Sequence, residues 1–346
     1  MMKAFVTGGT GLLGSNLVEQ LIAAGYEVTA LARSEAKAAQ LLGTTRAQII
    51  IGDMENVAAF ESALKGVDVL FHTAAYFREY FGPGDHWGTL EKINVQGTIQ
   101  LLEAAERQGV KKAIYVSSST VIGMKADGSA GDESTPPNAG TLDNLYRKSK
   151  VLAEKAIFAF LKTHTLPVVL ILPSAMFGPR DAAPTSPGQI VLDFLGHKLP
   201  AIPPGGFSVV DARDVAKTML NAVELGKSGE RYIVSNQYQD IGDILVMLSH
   251  ITGIPAPSRH LPYRAALAYA YMMDMRTRLT GISSPVSVVG IRLLKQKDDV
   301  RSDKARRELG TTIRPFEETL RDEVNWYIQN GYVPKNVLQS LARAQA

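Results

Sequence analysis

A tyrosine and a lysine lie four positions apart in the segment YRKSK (146–150). If this segment is helical, Tyr146 and Lys150 share one face. Because a nearby ammonium group stabilises a tyrosinate, Lys150 would lower the pKa of the Tyr146 phenol and prepare it for proton exchange near neutral pH. Taken alone, the pentapeptide is more typical of an exposed basic helix start, so other residues must decide between the two interpretations.

Hydroxyl side chains follow a predicted buried strand in the segment YVSSST (115–120). In α/β proteins the carboxyl end of such a strand borders the crevice in which ligands bind. A serine of this run is therefore a candidate to hold a substrate oxygen. The alternative is an ordinary polar loop start.

Three glycines mark the segment TGGTGLLG (7–14), which follows the first predicted strand and opens the first predicted helix. Gly8, Gly11 and Gly14 would permit a tight turn, close approach of a pyrophosphate and close packing of the helix on the sheet. A glycine-rich turn without a ligand is the alternative, but the position after the first strand favours dinucleotide binding. No Lys-Ser or Lys-Thr pair follows the glycines, which argues against a nucleoside-triphosphate loop.

The end of the second predicted strand carries a basic residue, Arg33, followed by Ser34 and Lys37. An NAD site favours an acid here, because it accepts hydrogen bonds from the adenosine ribose. A guanidinium group instead suits a 2′-phosphate. The predicted cofactor is therefore NADP(H) rather than NAD(H), and a solvated arginine at a strand end is the alternative.

Composition excludes several other classes of protein. The chain has 346 residues, no cysteine and a formal net charge of +3. The absence of cysteine excludes a disulfide scaffold, a thiolate zinc site and a cysteine nucleophile. The low charge and the spacing of the six histidines predict neither nucleic-acid binding nor a catalytic metal. The N-terminus reads as a strand rather than a signal peptide, and no apolar run reaches the about 20 residues of a membrane span, so we expect a soluble, cytoplasmic protein.

Short apolar segments alternate with amphipathic stretches along the first two thirds of the chain. Strands that are apolar on both faces belong to a buried parallel sheet, so the pattern predicts an α/β fold with a Rossmann-type, doubly wound parallel sheet. The predicted strands are 4–7, 28–32, 49–51, 67–71, 113–116, 167–172 and 232–234. The predicted helices are 13–22, 94–108, 151–161, 241–252, 264–279, 303–309 and 316–330.

Proline and glycine become frequent after residue 174, and helical patterns follow, which predicts a smaller, mostly helical lobe. We expect a cofactor-binding domain over 1–173, with a returning strand near 231–234, and a substrate-binding lobe made of 174–230 and 235–346. One cluster in this lobe favours a helix packed between the lobes over a membrane-facing stripe: Tyr269, Tyr271, Met272 and Met273.

Together these motifs resemble those of the extended short-chain dehydrogenase/reductase family, within the NAD-dependent epimerase/dehydratase superfamily, over almost the whole chain. Further matching segments are GDMEN (52–56), HTAA (72–75), NVQGT (94–98), VSSSTVIG (116–123), the loop from Pro173 to Pro179, and RSDKARRELG (301–310).

The resemblance implies a catalytic set. Tyr146 would be the acid/base and Lys150 would bind the nicotinamide ribose. Ser118, five residues before Gly123, would position the substrate oxygen, with Ser117 and Ser119 less favoured. The implied cofactor-binding residues are Gly8, Thr10, Gly11, Leu12, Gly14, Arg33, Asp53, Met54, Thr73, Ala74, Ala75, Asn94, Tyr146, Lys150, Pro173, Ala175 and Met176.

The loop LPSAMFGPR (172–180) bears on the choice among family members. Sugar-nucleotide epimerases and dehydratases usually have an asparagine at the position of Ala175, where it meets the substrate diphosphate. The loop is more similar to dihydroflavonol-reductase-like and hydroxysteroid-dehydrogenase-like members, although the C-terminal half also resembles hopanoid-associated sugar epimerases. The leading hypothesis is an NADP(H)-dependent carbonyl reductase or alcohol dehydrogenase. The alternatives are a sugar-nucleotide epimerase or dehydratase with tightly bound NAD(P), and a non-enzymatic nucleotide-binding regulator.

Aromatic residues predict a partly apolar substrate pocket. The candidate contacts are Tyr76, Phe177 and Phe207, with Phe77, Tyr80 and Phe81 as a further aromatic wall. The basic residues that leave a phosphate contact open are Arg180, Lys198 and Arg213. The predicted partner is an uncharged, partly apolar aldehyde or ketone, and the oligomeric state is open, with a homodimer among the alternatives.

Overall fold

The strands of the protein form one large and one small sheet. The computed structural model describes residues 1–77, 84–138, 140–280, 288–295 and 298–333. The strands in these ranges are β1 (Lys3–Thr7), β2 (Glu27–Ala32), β3 (Gln48–Ile51), β4 (Val69–His72), β5 (Lys112–Val116), β6 (Val168–Pro173), β7 (Ala175–Phe177), β8 (Gly206–Asp211), β9 (Arg231–Val234) and β10 (Tyr238–Asp240).

The large sheet has seven strands in the order β3-β2-β1-β4-β5-β6-β9, and every neighbouring pair is parallel. The strand order reverses at β1, so a crevice opens beyond the carboxyl ends of β1 and β4. This topology confirms the predicted Rossmann-type, doubly wound α/β fold. β9 lies beside β6, which brings the chain back to the sheet after a long excursion into the second lobe.

Helices cover both faces of the sheet and build most of the second lobe. They are α1 (Leu12–Ala23), α2 (Glu35–Leu42), α3 (Trp87–Leu90), α4 (Gly97–Arg107), α5 (Leu145–Phe160), α6 (Ser186–Leu195), α7 (Ala212–Leu225), α8 (Ile241–Thr252), α9 (Tyr263–Thr280), α10 (Val288–Lys295), α11 (Asp303–Leu309) and α12 (Phe316–Gln329). A π-helical turn, Glu91–Gln96, joins α3 to α4, and short 3₁₀ turns lie at Val57–Ala59, Glu61–Leu64, Ser119–Val121 and Thr141–Asp143.

Helix α5 begins six residues before the predicted start at 151. Its first residue follows Asn144, whose side chain accepts a hydrogen bond from the backbone N–H of Arg147 at 3.0 Å. This cap satisfies one of the amide groups that every helix N-terminus leaves unpaired. Because the helix begins at Leu145 rather than at residue 151, Tyr146 and Lys150 both lie inside it.

Three apolar clusters hold these layers together. One face of the large sheet packs against α4 and α5, and the other face packs against α1 and α7. The third cluster lies in the second lobe, between the small sheet β10-β8-β7 and helices α6, α8 and α12. Asp211 caps α7, because its side chain accepts a hydrogen bond from the N–H of Arg213 at 2.7 Å.

Helices α9 and α10 pack on each other around a small cluster of their own, with Ala266, Ala270, Val288 and Ile291 at its centre. The expectation that α9 packs its aromatic and methionine residues between the lobes is wrong for Tyr269, Tyr271 and Met272, which are exposed. The reason is that α10 covers the opposite face of α9. Among the described helices, none is both long and apolar enough to cross a membrane.

Candidate active site

The predicted catalytic side chains meet at the carboxyl end of β5. Tyr146 lies in the first turn of α5, and Lys150 lies one turn further, with its Nζ atom 6.0 Å from the centre of the Tyr146 ring. Ser118 follows β5, and its hydroxyl lies near enough to the Tyr146 phenol to influence its pKa. Three residues that are 28 and 4 positions apart in the chain thus surround one point of the crevice.

Lys150 is almost completely buried, and its ammonium group is held by the strand below it. Its Nζ atom donates hydrogen bonds to the Val116 carbonyl at 2.9 Å and to the Tyr115 hydroxyl at 3.4 Å. Burial lowers the pKa of Lys150 to about 8, although the nearby Glu154 carboxylate opposes this shift. The lysine is therefore oriented before any ligand arrives, and it loses its charge at a lower pH than an exposed lysine does.

The pKa of Tyr146 shifts in the direction opposite to that predicted from the sequence. Burial raises the pKa of the phenol above its ordinary value, and the hydrogen bond with Ser118 offsets part of this rise. Lys150 does not reverse the shift, because its protons point to Val116 and Tyr115 rather than to the phenol. A phenol that keeps its proton at neutral pH is suited to donate that proton to a developing alkoxide.

The first two of the three serines after β5 have different partners. Ser117 donates to the Glu154 carboxylate in a very short hydrogen bond, which turns it away from the phenol. Ser118 begins the Ser119–Val121 turn, and its hydroxyl is 2.9 Å from that of Thr120. This geometry supports Ser118 rather than Ser117 as the partner of a substrate oxygen.

A buried chain of hydrogen bonds runs beneath the crevice. The two ring nitrogens of His72 lie 2.7 Å from the Thr7 hydroxyl and 3.0 Å from the Thr98 hydroxyl. Thr98 donates to the Asn94 carbonyl at 2.8 Å, and the Asn94 side-chain amide donates to Ser149 at 3.1 Å. His72 is completely buried, so its two ring nitrogens depend on these two hydroxyls as hydrogen-bond partners. The chain connects the residue before the glycine turn to the helix that carries Tyr146.

The glycine turn has the shape that a dinucleotide needs. Gly8 has a φ of +70°, and a Cβ atom there would lie 2.8 Å from the Ala74 nitrogen. A Cβ atom on Gly14 would lie 2.1 Å from the Gly8 oxygen, so both positions require glycine. Gly11 precedes α1 and has no side chain to cap the first-turn amide groups, which suits them to phosphate oxygens. Thr10 and Leu12 flank this turn.

Arg33 follows directly after β2, and its side chain is largely exposed. Its Nε atom is 3.9 Å from a carboxylate oxygen of Asp53, which follows β3. Asp53 also accepts a hydrogen bond from the Glu55 backbone, so its carboxylate is fixed beside the guanidinium. The neighbouring Met54 packs into the core of the sheet. A ligand phosphate at Arg33 would therefore be attracted by the guanidinium group and repelled by the Asp53 carboxylate.

The other predicted cofactor residues lie on two neighbouring edges of the crevice. Thr73 donates to the Thr7 carbonyl at 2.7 Å, and Ala74 donates its N–H to the Thr7 hydroxyl at 3.3 Å, while Ala75 is exposed beside them. Pro173 ends β6, and Ala175 and Met176, both half-buried, lie in β7.

One predicted aromatic side chain, Phe77, packs against the phenol, whereas the side chain of Tyr76 contacts His86. The rings of Phe77 and Tyr146 are 4.5 Å apart. The backbone N–H of Tyr76 donates to the Asn94 side chain at 2.8 Å, and the Tyr76 hydroxyl is 2.8 Å from His86. Tyr80 and Phe81, predicted to continue this wall, lie outside the described residues.

The two predicted phenylalanine contacts on the second lobe differ in exposure. Phe207, in β8, is half-buried, whereas Phe177, in β7, is completely buried. The Phe177 ring lies 6.2 Å from Phe207 and 5.1 Å from Phe316. Phe177 therefore supports the β7–β8 surface from behind.

Three basic residues were considered as possible phosphate contacts, and two of them are bound to other groups of the protein. Arg180 donates to the Leu41 carbonyl and to Glu19. Arg213 pairs with Asp211 and with Asp322. Lys198 is exposed after α6.

Sequence reasoning missed one ion pair beside Tyr146. Arg147 is buried and donates two hydrogen bonds to the Asp298 carboxylate, one of them at 3.2 Å. Backbone bonding places Asp298 against β8, because the Ser208 N–H donates to the Asp298 carbonyl at 3.1 Å. The partners are 151 positions apart, so no local signal in the sequence links them.

Comparisons with known proteins agree with this geometry. A sequence model of the NAD dependent epimerase/dehydratase family matches residues 4–235. A Synechocystis protein that carries the provisional name dihydroflavonol 4-reductase is 34% identical over 333 residues, 95% of each chain. Sterol demethylase protein B of Methylococcus capsulatus is 33% identical over 336 residues, 96% of this chain and 100% of its own. The crystal structure of gox2253 matches with a TM-score of 0.81 at 33% identity, over 96% of this chain and 100% of the other.

Proposed function

Because the chain belongs to the NAD dependent epimerase/dehydratase family, whose members use a nicotinamide cofactor, we propose that it is an NADP(H)-dependent reductase of an uncharged, partly apolar aldehyde or ketone. The observation that carries this proposal is the meeting of Tyr146, Lys150 and Ser118 at the carboxyl end of β5. The reverse reaction, oxidation of the alcohol, uses the same groups.

The bound nicotinamide would supply or accept a hydride at the carbonyl carbon. Tyr146 donates its proton to the oxygen that becomes an alkoxide, and Ser118 hydrogen-bonds the same oxygen. Lys150 binds the cofactor ribose and places its positive charge near the phenol, which favours the tyrosinate left after proton transfer. The buried chain from Thr7 to Ser149 keeps the glycine turn and the catalytic helix in register.

The choice of NADP(H) rests on Arg33. A guanidinium group binds a phosphate with two charge-assisted hydrogen bonds, and no acid occupies its position at the strand end. Asp53 lies 3.9 Å from Arg33 and reduces this preference by repelling the phosphate. The two charge-assisted hydrogen bonds of a phosphate in direct contact with Arg33 outweigh this repulsion.

The substrate class rests on what surrounds Tyr146. Phe77 packs against its ring, and Phe207 lies on the facing lobe. Ala175 lacks the amide that sugar-nucleotide members use on a diphosphate, and Arg180 and Arg213 are engaged in internal ion pairs. A buried diphosphate with so few donors would bind poorly. The names of two relatives refer to a dihydroflavonol and to a sterol, which are uncharged and largely apolar compounds.

The decisive experiment is a panel of aldehydes and ketones, with oxidation of NADPH and of NADH followed by absorbance. Stoichiometric consumption of NADPH by an apolar carbonyl, abolished in Tyr146→Phe, is the expected result. Nucleotide sugars are titrated in parallel into the NADP-bound protein by calorimetry. Micromolar binding of a nucleotide sugar with an epimerised or dehydrated product would replace this proposal by the sugar-nucleotide alternative. Tight cofactor binding without turnover of any compound would favour a regulator.

A further inference from the structure

Helix α9 carries a continuous apolar stripe on the face that points away from α10. The residues of this outer stripe are exposed and recur at alternating spacings of three and four, so they line up along the helix: Ala265, Ala268, Met272, Met275 and Leu279. The three larger side chains are 50–80% exposed. Tyr269 and Tyr271, on the two flanks of the stripe, are also exposed.

Such exposure is concentrated in this helix. Of the eleven large apolar side chains that are exposed in the described part of the chain, five lie on α9. A group of this kind marks an interaction surface, whereas isolated exposed apolar residues need no explanation.

The charge of the same region is strongly one-sided. Five residues of the segment 263–295 are basic and one is acidic, so its net charge of +4 exceeds that of the whole chain, +3. The acid, Asp274, faces α10 and accepts a hydrogen bond from the Val288 N–H at 3.3 Å. Arg264 and Arg276, next to the outer stripe, are exposed, as is Arg292 on α10.

We propose that the outer stripe of α9 docks on an anionic lipid surface, with the helix lying in the plane of the interface. Apolar side chains would enter the boundary between headgroups and acyl chains, and the flanking arginines would attract lipid phosphates. Tyrosines at the flanks suit this position, because their rings are apolar and their hydroxyls are polar. The Tyr271 hydroxyl accepts a hydrogen bond from Arg292 at 2.7 Å.

A second copy of the chain fits the outer stripe less well. Two copies packed through this face would bring Arg264 and Arg276 of each copy together, and the stripe has no acid to compensate them. Like charges across an interface are costly. An anionic surface satisfies the apolar and the charged features of α9 at the same time.

The position of α9 gives the docking a consequence for the crevice. The segment just before α9 is hydrogen-bonded to the second lobe, because the Leu261 N–H donates to the Ile202 carbonyl at 2.9 Å. After α10, Asp298 bonds to Ser208 in β8 and to Arg147 in α5. Docking through α9 would therefore bring the lobe that carries Phe207 to the membrane surface, where apolar compounds partition.

The test uses the full chain and sedimentation with vesicles of phosphatidylcholine, with and without phosphatidylglycerol. We expect binding to the anionic vesicles that weakens as salt rises. Met272→Glu/Met275→Glu should raise the lipid concentration for half-binding by roughly 100-fold, because two apolar contacts are lost and two repulsive charges are added. The matched control is Val246→Glu/Leu225→Glu, which makes the same changes at exposed apolar positions outside α9 and should bind as the unmodified protein does.

A second pair of variants tests the charges. Arg264→Gln/Arg276→Gln should weaken binding to the anionic vesicles by about 30-fold, at about 1 kcal/mol per cation, and should leave the weak binding to neutral vesicles unchanged. Circular dichroism and thermal unfolding establish that each variant is folded. Absence of vesicle binding, or equal binding by the stripe and control variants, would overturn the proposal. So would a dimer in solution that the stripe substitutions dissociate, since a second copy would then cover the face.

Vesicle binding requires neither cofactor nor carbonyl substrate, so this inference stands or falls separately from the proposed reductase activity.

Discussion

The proposed cofactor side and the proposed substrate side of the crevice are held in place by different kinds of contact. On the cofactor side, uncharged groups form a buried chain from Thr7 through His72, Thr98 and Asn94 to Ser149. On the substrate side, charged pairs join distant segments, as Arg147 and Asp298 do across 151 positions.

This difference has a physical origin. A neutral hydrogen-bonded chain in a dry interior holds its members in one geometry, because any unpaired member would be costly. A single ion pair between two distant segments fixes them at one point only, so a lobe attached in this way can still adapt to what it binds. We therefore expect substitutions on the cofactor side to affect chemistry and cofactor affinity, and those on the substrate side to affect KM.

Tyr146→Phe should have the largest effect of the substitutions on the cofactor side. The change removes the proton donor and keeps the ring that packs against Phe77. Turnover should fall about 10³-fold, within the usual range for loss of a general acid, and the Kd of NADPH should stay within about twofold. Absorbance assays and fluorescence titration measure the two quantities. Activity above a tenth of that of the unmodified protein would contradict the role assigned to Tyr146.

Arg33→Asp tests the part of the cofactor side that is most exposed. A charge-assisted contact contributes about 1.5–3 kcal/mol, so the unmodified protein should prefer NADP(H) by about tenfold or more, and the aspartate should reverse this preference by repulsion. Asp53→Asn is the matched charge change 3.9 Å away and should increase the preference for NADP(H). Calorimetric titration with both cofactors gives the ratios. Equal affinities in the unmodified protein would rule out the role of Arg33.

The buried chain makes its own prediction through His72. Burial, aided by the charge of Lys150, lowers the pKa of His72 to about 3, against 6.5 in an unfolded chain. Between these values the unfolded state binds more protons, so the free energy of unfolding decreases as pH falls below 6.5. From pH 6.5 to 4.5 the unmodified protein should lose about 2 kcal/mol more than His72→Asn does. Urea unfolding of both at the two pH values measures this difference, and parallel losses would show that His72 is not kept neutral by burial.

Most of the large sheet was predictable from the sequence, because its strands are apolar on both faces and end at glycine or hydroxyl motifs. The start of α5 was not, because the effect of Asn144 as a cap outweighs the weak helical pattern between 145 and 150. The exposed stripe on α9 was misjudged for another reason. Its other face already satisfies the apolar pattern by packing on α10, and the sequence does not show which of two apolar faces is covered.

The candidate site was likewise only partly predictable from the sequence. The proximity of Tyr146, Lys150 and Ser118 follows from short motifs at strand ends and from the helix period. The direction of the pKa shift of Tyr146 could not be inferred, because it depends on burial and on the carbonyl that binds Lys150. The pairing of Arg147 with Asp298 was also inaccessible, since it depends on how the second lobe folds back on β8.

Asp298→Asn should have the smallest effect of these substitutions, and it tests whether the two sides of the crevice differ as proposed. The asparagine keeps the backbone contact with β8 but removes the negative charge that compensates the buried Arg147 guanidinium, and its side chain offers one accepting oxygen instead of two. The KM for the carbonyl should rise about fivefold, because the segment beside Phe207 is held less firmly, and kcat and the Kd of NADPH should not change. Asp299→Asn, the same substitution one residue further along, should leave all three constants unaltered. If Asp298→Asn instead lowers kcat with KM unchanged, the ion pair positions Tyr146 through its neighbour Arg147, and the division between a rigid cofactor side and an adaptable substrate side is wrong.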